Sequence, residues 1–234
     1  YAGAHVFALA VGLLAVPLTC RNLSLFATIR SVAANGSWAG LSALIYSLRT
    51  SAHTFIVGAS LSLEEVGRMN AARTLVTPVT LIIPTLSSLM LPRLSQVHVA
   101  ESLSGVQRLA WRIGIGIAGL VVIYAGFLFL AWPLLGSQFL GGGYEDLGLY
   151  VALWVLYALS IALRNTLEWA TQATKAFRSL TELNLVTSVL TVGLVVLLTT
   201  TIGSPGAILG TTLGEALMVS GLALRLASRG NSRQ

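Results

Sequence analysis

"IYSLRTSAHTF", residues 45–55, sets an arginine and a histidine four positions apart within a run, Leu41 to Ser60, that otherwise has the apolar character of a membrane span. On a helix turning about 100° per residue, Ser42, Tyr46, Arg49, His53 and Ser60 share a sector of roughly 60°, and the rest of the circumference is greasy. An arginine at mid-span costs roughly 2.5–3.5 kcal/mol even on the lenient insertion scale, so this face is expected to meet a wet cavity or a partner, not lipid.

The composition around this stretch supports a bilayer as solvent. Of 234 residues, 55% are hydrophobic and only 9% charged, with a mean hydropathy of +0.83. A soluble surface needs about a quarter of charged residues. Apolar windows separated by charged or Gly/Pro-rich breaks predict an all-α polytopic bundle of about seven spans. They lie near Tyr1–Thr19, Leu41–Ser60, Thr74–Leu94, Ile113–Leu135, Leu147–Leu163, Thr181–Thr200 and Pro205–Leu226. Cys20 is alone and His5, His53 and His98 are scattered, which removes disulfide and zinc chemistry from consideration; no cofactor is expected. The net charge of +6 is spread between apolar runs and not along one solvated face, so no nucleic-acid partner is expected.

Topology accounts for the basic residues. Arg21, Arg30, Arg93, Arg108, Arg112, Arg164, Lys175, Arg178, Arg225, Arg229 and Arg233 fall on one side of the spans, and only Arg68 and Arg73 on the other. The positive-inside rule then places the C-terminus in the cytoplasm and Tyr1 outside, in a cytoplasmic membrane crossed several times. The far-side loop "GSQFLGGGYEDLGLY" carries acids and no base, bracketed by Trp132, Tyr144 and Tyr150 as an interfacial belt. An external start on an odd number of helices, beginning at Tyr1 without a basic leader, is expected of a chain truncated at its front.

Further polar faces lie on the other spans. Arg73, Thr77, Thr80, Pro84 and Ser88 share a broad side of the third, which Pro78, Pro84 and Pro92 make bendable. Tyr150, Trp154 and Tyr157 recur at helical spacing on the fifth, joined by Arg164 and Glu168 if that helix continues; such a stripe is either core or a surface for stacking a sugar ring. Gly206, Gly210 and Gly214, at every fourth position of the seventh span, predict close helix packing, and Glu215 sits near mid-span away from them. "GIGIAG", residues 114–119, matches a dinucleotide fingerprint but follows no strand and is read as helix packing. Retinal chemistry needs a buried lysine, and Lys175 lies in a charged connection.

The stretch "EEVGRMNAARTLVTPVTLIIPTLSSLMLPRLSQ", Glu64–Gln96, resembles oligosaccharide flippases of the polysaccharide-transporter branch of the MATE-like exporter superfamily, through Glu65, Val66, Gly67, Ala72 and Pro92 to Ser95. "ATQATKAFRSLTELN" and "TIGSPGAILGTTLGEAL" are similar to the last two helices of that family, through Gly203, Gly206, Ala207, Thr211 and Glu215. Met69 and His53 depart from its pattern, standing where an aromatic and an acid are frequent.

The resemblance implies that residues 37–227 form a six-helix C-terminal lobe, residues 1–36 the last helix of a missing N-terminal lobe plus a cytoplasmic linker, and residues 228–234 a cytoplasmic tail. It implies a transporter, not an enzyme, that moves a polyprenyl-pyrophosphate-linked oligosaccharide to the outer leaflet by alternating access during cell-surface polysaccharide assembly. Its partners would be that lipid-linked substrate, membrane lipids, the N-terminal lobe and a polysaccharide polymerase. The alternatives are a cation-coupled multidrug exporter, which should favour acids over Arg49 in its cavity, and a membrane-embedded enzyme of polysaccharide assembly, which generally needs a larger extramembrane loop.

Guanidinium forks match phosphate oxygens. Arg49 is therefore the first candidate for a pyrophosphate site, with His53, Tyr46, Arg164 and Trp154 as further substrate contacts and Glu215 and Glu168 as ion-coupling acids. Alternatively, Arg49 forms an internal ion pair with Glu215 or Glu168, and His53 is a packing residue.

Overall fold

A bilayer interior offers no water to backbone amides, so an apolar run must satisfy its own hydrogen bonds as a helix. The computed structural model, which describes residues 25–101, 103–132 and 147–231, shows this throughout. The helices are α1 (Leu25–Ser60), α2 (Leu63–Glu101), α3 (Leu103–Leu130), α4 (Leu147–Ala173), α5 (Phe177–Ile202) and α6 (Ser204–Asn231), with no strand among the described residues. Five of them, α2 to α6, are long and apolar enough to cross a membrane. The chain is a multi-pass helical membrane protein. The polar stripe holding Arg49 and His53 sets α1 apart from those five.

These helices correspond to the second through seventh expected spans. The first, Tyr1–Thr19, lies outside the described residues, as does the far-side loop from residue 133 to 146. Each helix runs past the apolar window that marks it at one end or at both. In α2, 39 residues continue through Pro78, Pro84 and Pro92. The region expected as a cytoplasmic linker up to residue 36 is helical from Leu25 onward, as the first part of α1.

The chain divides near residue 37, and the described residues from Trp38 onward form a compact second unit. In the second, α4 is the axis, packed against α2, α3 and α6, while α5 lies along α6. Half of the most apolar window of α4 is buried, against just over a quarter for α3 and α5. Those two helices turn Ile115, Val122, Ile123, Phe127 and Val189, Leu190, Leu197 outward, as lipid-facing surfaces require. The seam between α5 and α6 depends on the glycine repeat. A Cβ on Gly206 would lie 2.0 Å from the Leu198 carbonyl oxygen, and one on Gly210 2.7 Å from the Val195 Cα. Only a bare α-carbon allows the backbones this close.

Polar contacts fix the two ends. At one, the Glu65 carboxylate accepts hydrogen bonds from Tyr150, 3.0 Å away, and from Ser204, which joins the starts of α2, α4 and α6. At the other, Gln107 donates to the Leu226 carbonyl at 2.7 Å and Arg225 to Ser179, tying the end of α6 to the starts of α3 and α5. The up-and-down order of the helices follows from these pairings.

Candidate functional site

The polar face of α1 is turned into the bundle, not toward lipid. Leu44, Leu48 and Phe55 are exposed on the same helix, while Ser42, Arg49 and His53 are buried. A ladder of polar contacts receives them. The Thr181 hydroxyl donates to the Trp38 carbonyl at 2.9 Å, and the Asn184 amide to Ser42 at 2.6 Å. Arg49 donates through Nη2 to Glu215 Oε1 at 2.8 Å and through Nη1 to Thr187 at 3.4 Å.

Of the two arrangements open to Arg49 in the sequence, the structure shows the internal pair. Its side chain is 1% exposed and that of Glu215 3%. Thr187 of α5 and Glu215 of α6 close over this guanidinium. Arg164 completes a quartet. It donates to Glu168, one helical turn on, through Nε and Nη2, and its Nη1 lies 3.5 Å from Glu215 Oε2. That last approach is an ion pair by charge and not a hydrogen bond, for Glu215 Oε2, Arg164 Nη1 and Arg49 Nε all lack a hydrogen-bond partner among the described residues. Two arginines and two carboxylates therefore cancel in charge while three of their polar atoms stay unsatisfied. Buried charges persist only when paired.

A cavity of about 330 Å³ adjoins the quartet on the other side of Tyr46. Tyr46 and Thr50 of α1, Arg73, Val76, Thr80 and Pro84 of α2, and Trp154, Tyr157, Ile161 and Asn165 of α4 form its walls. Arg73 and Pro84 are exposed, so the cavity reaches the surface. Neither Arg49, Arg164 nor His53 lines it. The Tyr46 ring stands at the boundary, with the Arg164 guanidinium carbon 4.2 Å and that of Arg49 5.4 Å from its centroid.

The aromatic stripe is core and cavity wall at once. Trp154 is 1% exposed and donates its indole N–H to the Met69 carbonyl at 3.0 Å. His53 and Tyr157 meet its ring edge-on at 5.4 and 5.1 Å, and the Arg73 guanidinium lies 5.2 Å from its centroid. Both ring nitrogens of His53 lack a hydrogen-bond partner among the described residues, so its place is against the indole. Of the three aromatics that line the cavity, Tyr46 is half-buried and Trp154 and Tyr157 are buried.

The residue that the sequence sets on the polar face of the third span without singling it out as a substrate contact is Arg73. Its position near the end of a hydropathy window counts it as a topological charge, yet it belongs to the interior of α2 and lines the cavity. No carboxylate pairs with it among the described residues. Its spacing to Thr80 and Pro84, seven and eleven positions on, was the available signal.

Residues 4–141, more than half of the chain, match the family model described as polysaccharide biosynthesis protein. No curated protein and no solved structure matches the chain.

Proposed function

Because the chain belongs to the polysaccharide biosynthesis protein family, we propose that this transporter-like membrane protein is a flippase that moves a polyprenyl-pyrophosphate-linked oligosaccharide across the membrane. The observation that carries the reading is Arg73, an exposed guanidinium seated over Trp154 in an open cavity and free of any carboxylate among the described residues. A pyrophosphate entering surroundings of low dielectric needs a cation, and a guanidinium presents donors in a planar fork that suits phosphate oxygens. Thr50, Thr80 and Asn165 add hydroxyl and amide groups to the walls, which suit the first sugar of the headgroup. A cationic drug would be repelled by the same arginine, so the multidrug-exporter alternative loses support.

On this reading residues 37–227 are the C-terminal lobe of a MATE-like transporter, and the cavity face of α1, α2 and α4 looks toward an N-terminal lobe across which access alternates. The protein acts without chemical turnover, in the cytoplasmic membrane with its C-terminus inside, and supplies lipid-linked units to a polymerase. The test is a flipping assay on the full-length protein with Arg73→Ala and Arg73→Lys. Transport is expected to be lost in the first and partly retained in the second, since lysine keeps the charge without the fork. Wild-type transport by a normally expressed Arg73→Ala protein overturns the reading.

A further inference from the structure

Charge arithmetic on the two sides of Tyr46 leads further. The quartet of Arg49, Arg164, Glu168 and Glu215 sums to zero, and the cavity adds Arg73, for a net charge of +1. A disubstituted pyrophosphate is a dianion, and its arrival leaves the region at −1. One proton restores neutrality, which an interior of low dielectric strongly favours. Glu215 is the group placed to take it. Its Oε1 is held by Arg49 alone, and its Oε2 has charge but no hydrogen bond from Arg164.

We propose that Glu215 is an internal counter-anion which a pyrophosphate group displaces from Arg49 and Arg164, and that it binds one proton as it lets go. This rests on the flippase reading and deepens it, naming a second, deeper anion subsite behind Tyr46. The two guanidiniums already lie against the ring that lines the cavity, so a swing of that one side chain opens the cavity toward them. Arg49 Nε and Arg164 Nη1 are the donors left over to receive it. In the exchange no covalent bond changes. One N–H, that of Arg49 Nη2, passes from the Glu215 carboxylate to a phosphate oxygen, the two unused donors gain phosphate oxygens as partners, and one solvent proton ends on the Glu215 carboxyl.

The surroundings of Glu215 agree. Facing it are Arg49 from α1 and Arg164 from α4. Glu168 is held by Arg164, the Tyr157 phenol lies within electrostatic reach of Glu215, and Tyr46 packs on both arginines. From α5 comes the Thr187 hydroxyl, on Arg49. The α2 charge in this neighbourhood is Arg73, within reach of Tyr157 and His53, and the polar contact of α3 with α6 is Gln107 at Leu226, about three turns from Glu215. Leaving both arginines with the dianion, Glu215 has no second cation among these groups, and protonation is its route to neutrality.

The test is binding to the full-length protein in detergent, with dimethyl pyrophosphate and with a short-chain polyprenyl-pyrophosphoryl sugar, both of which keep their charge near neutral pH. Affinity of the wild type is expected to rise about tenfold per unit fall in pH, the slope of a single linked proton. Titration calorimetry in buffers of different ionisation enthalpy is expected to count one proton taken up. Glu215→Gln should bind more tightly at high pH and show no slope. A slope with the lipid-linked ligand alone supports the exchange and assigns it to the headgroup on its lipid, and a slope with both supports it for the pyrophosphate alone. A flat wild-type profile with no proton uptake overturns it, as does an unchanged slope in Glu215→Gln. If that variant does not fold, the wild-type proton count decides by itself. Absence of any binding to the wild type overturns the flippase reading and this inference with it, whereas binding without a slope overturns only the exchange.

Discussion

The buried quartet behind Tyr46 and the open cavity in front of it use the same residue type to opposite effect. Arg49 and Arg164 are packed away and held by carboxylates from other turns and helices, whereas Arg73 is exposed and rests on an indole face. The difference teaches that an intramembrane arginine is not a binding site by virtue of its charge. What surrounds the guanidinium decides whether it locks helices together or waits for a ligand. In the quartet the charge joins α1, α4 and α6; at the cavity it has no internal work to do.

Removing one side chain from each region should separate the two roles, and the largest effect is expected in the quartet. Arg49→Ala leaves Glu215 buried opposite only Arg164 and should destabilise the bundle by about 3–5 kcal/mol, measured as unfolding in detergent. The double variant Arg49→Met with Glu215→Met should recover most of that loss, because a well-packed apolar pair is often as stable as a buried ion pair. Similar instability in single and double variants would show that the pairing is not what holds α1.

An intermediate effect is expected at the helix seam that presents Glu215. Gly206→Ala places a methyl against the Leu198 carbonyl. Such overpacking should cost about 1–3 kcal/mol by pushing α6 away from α5. Gly116→Ala is the control, since an added Cβ there meets nothing within 4 Å. Equal stability of the two variants would contradict the close approach. The smallest change in stability is expected from Arg73→Ala, within about 0.5 kcal/mol of wild type as for an exposed side chain, although its transport should fail. Dissociation of stability from activity at Arg73, and their joint loss at Arg49, is the pattern that distinguishes the two regions.

The spans are legible in the sequence because each must be apolar over about 20 residues. Their ends are not, since a helix continues past its apolar window without needing apolar residues, as it does through Arg93, Ser95 and His98 in α2 and through Arg164 to Ala173 in α4. The inward polar face of α1 is readable from 3.6-residue spacing at Ser42, Arg49 and His53. The partner of Arg49 is a different matter. Glu215 and Glu168 are both intramembrane acids, and only the packing of α6 beside α1 and α4 selects the one 166 positions away. Arg73 reads two ways, because hydropathy assigns a charge near a window's edge to the loop while helical spacing sets it on the polar face of the third span. Helical phase, which joins it to Thr80 and Pro84, carries the better information.

The knot of Glu65, Tyr150 and Ser204 sits one turn of α4 from Trp154 and so beside the cavity wall. Three helices begin there, and a single carboxylate is shared among them. Any motion that spreads those helix starts to widen a passage must first prise a phenol and a serine off one acid, so departure toward that end has a toll at a known residue.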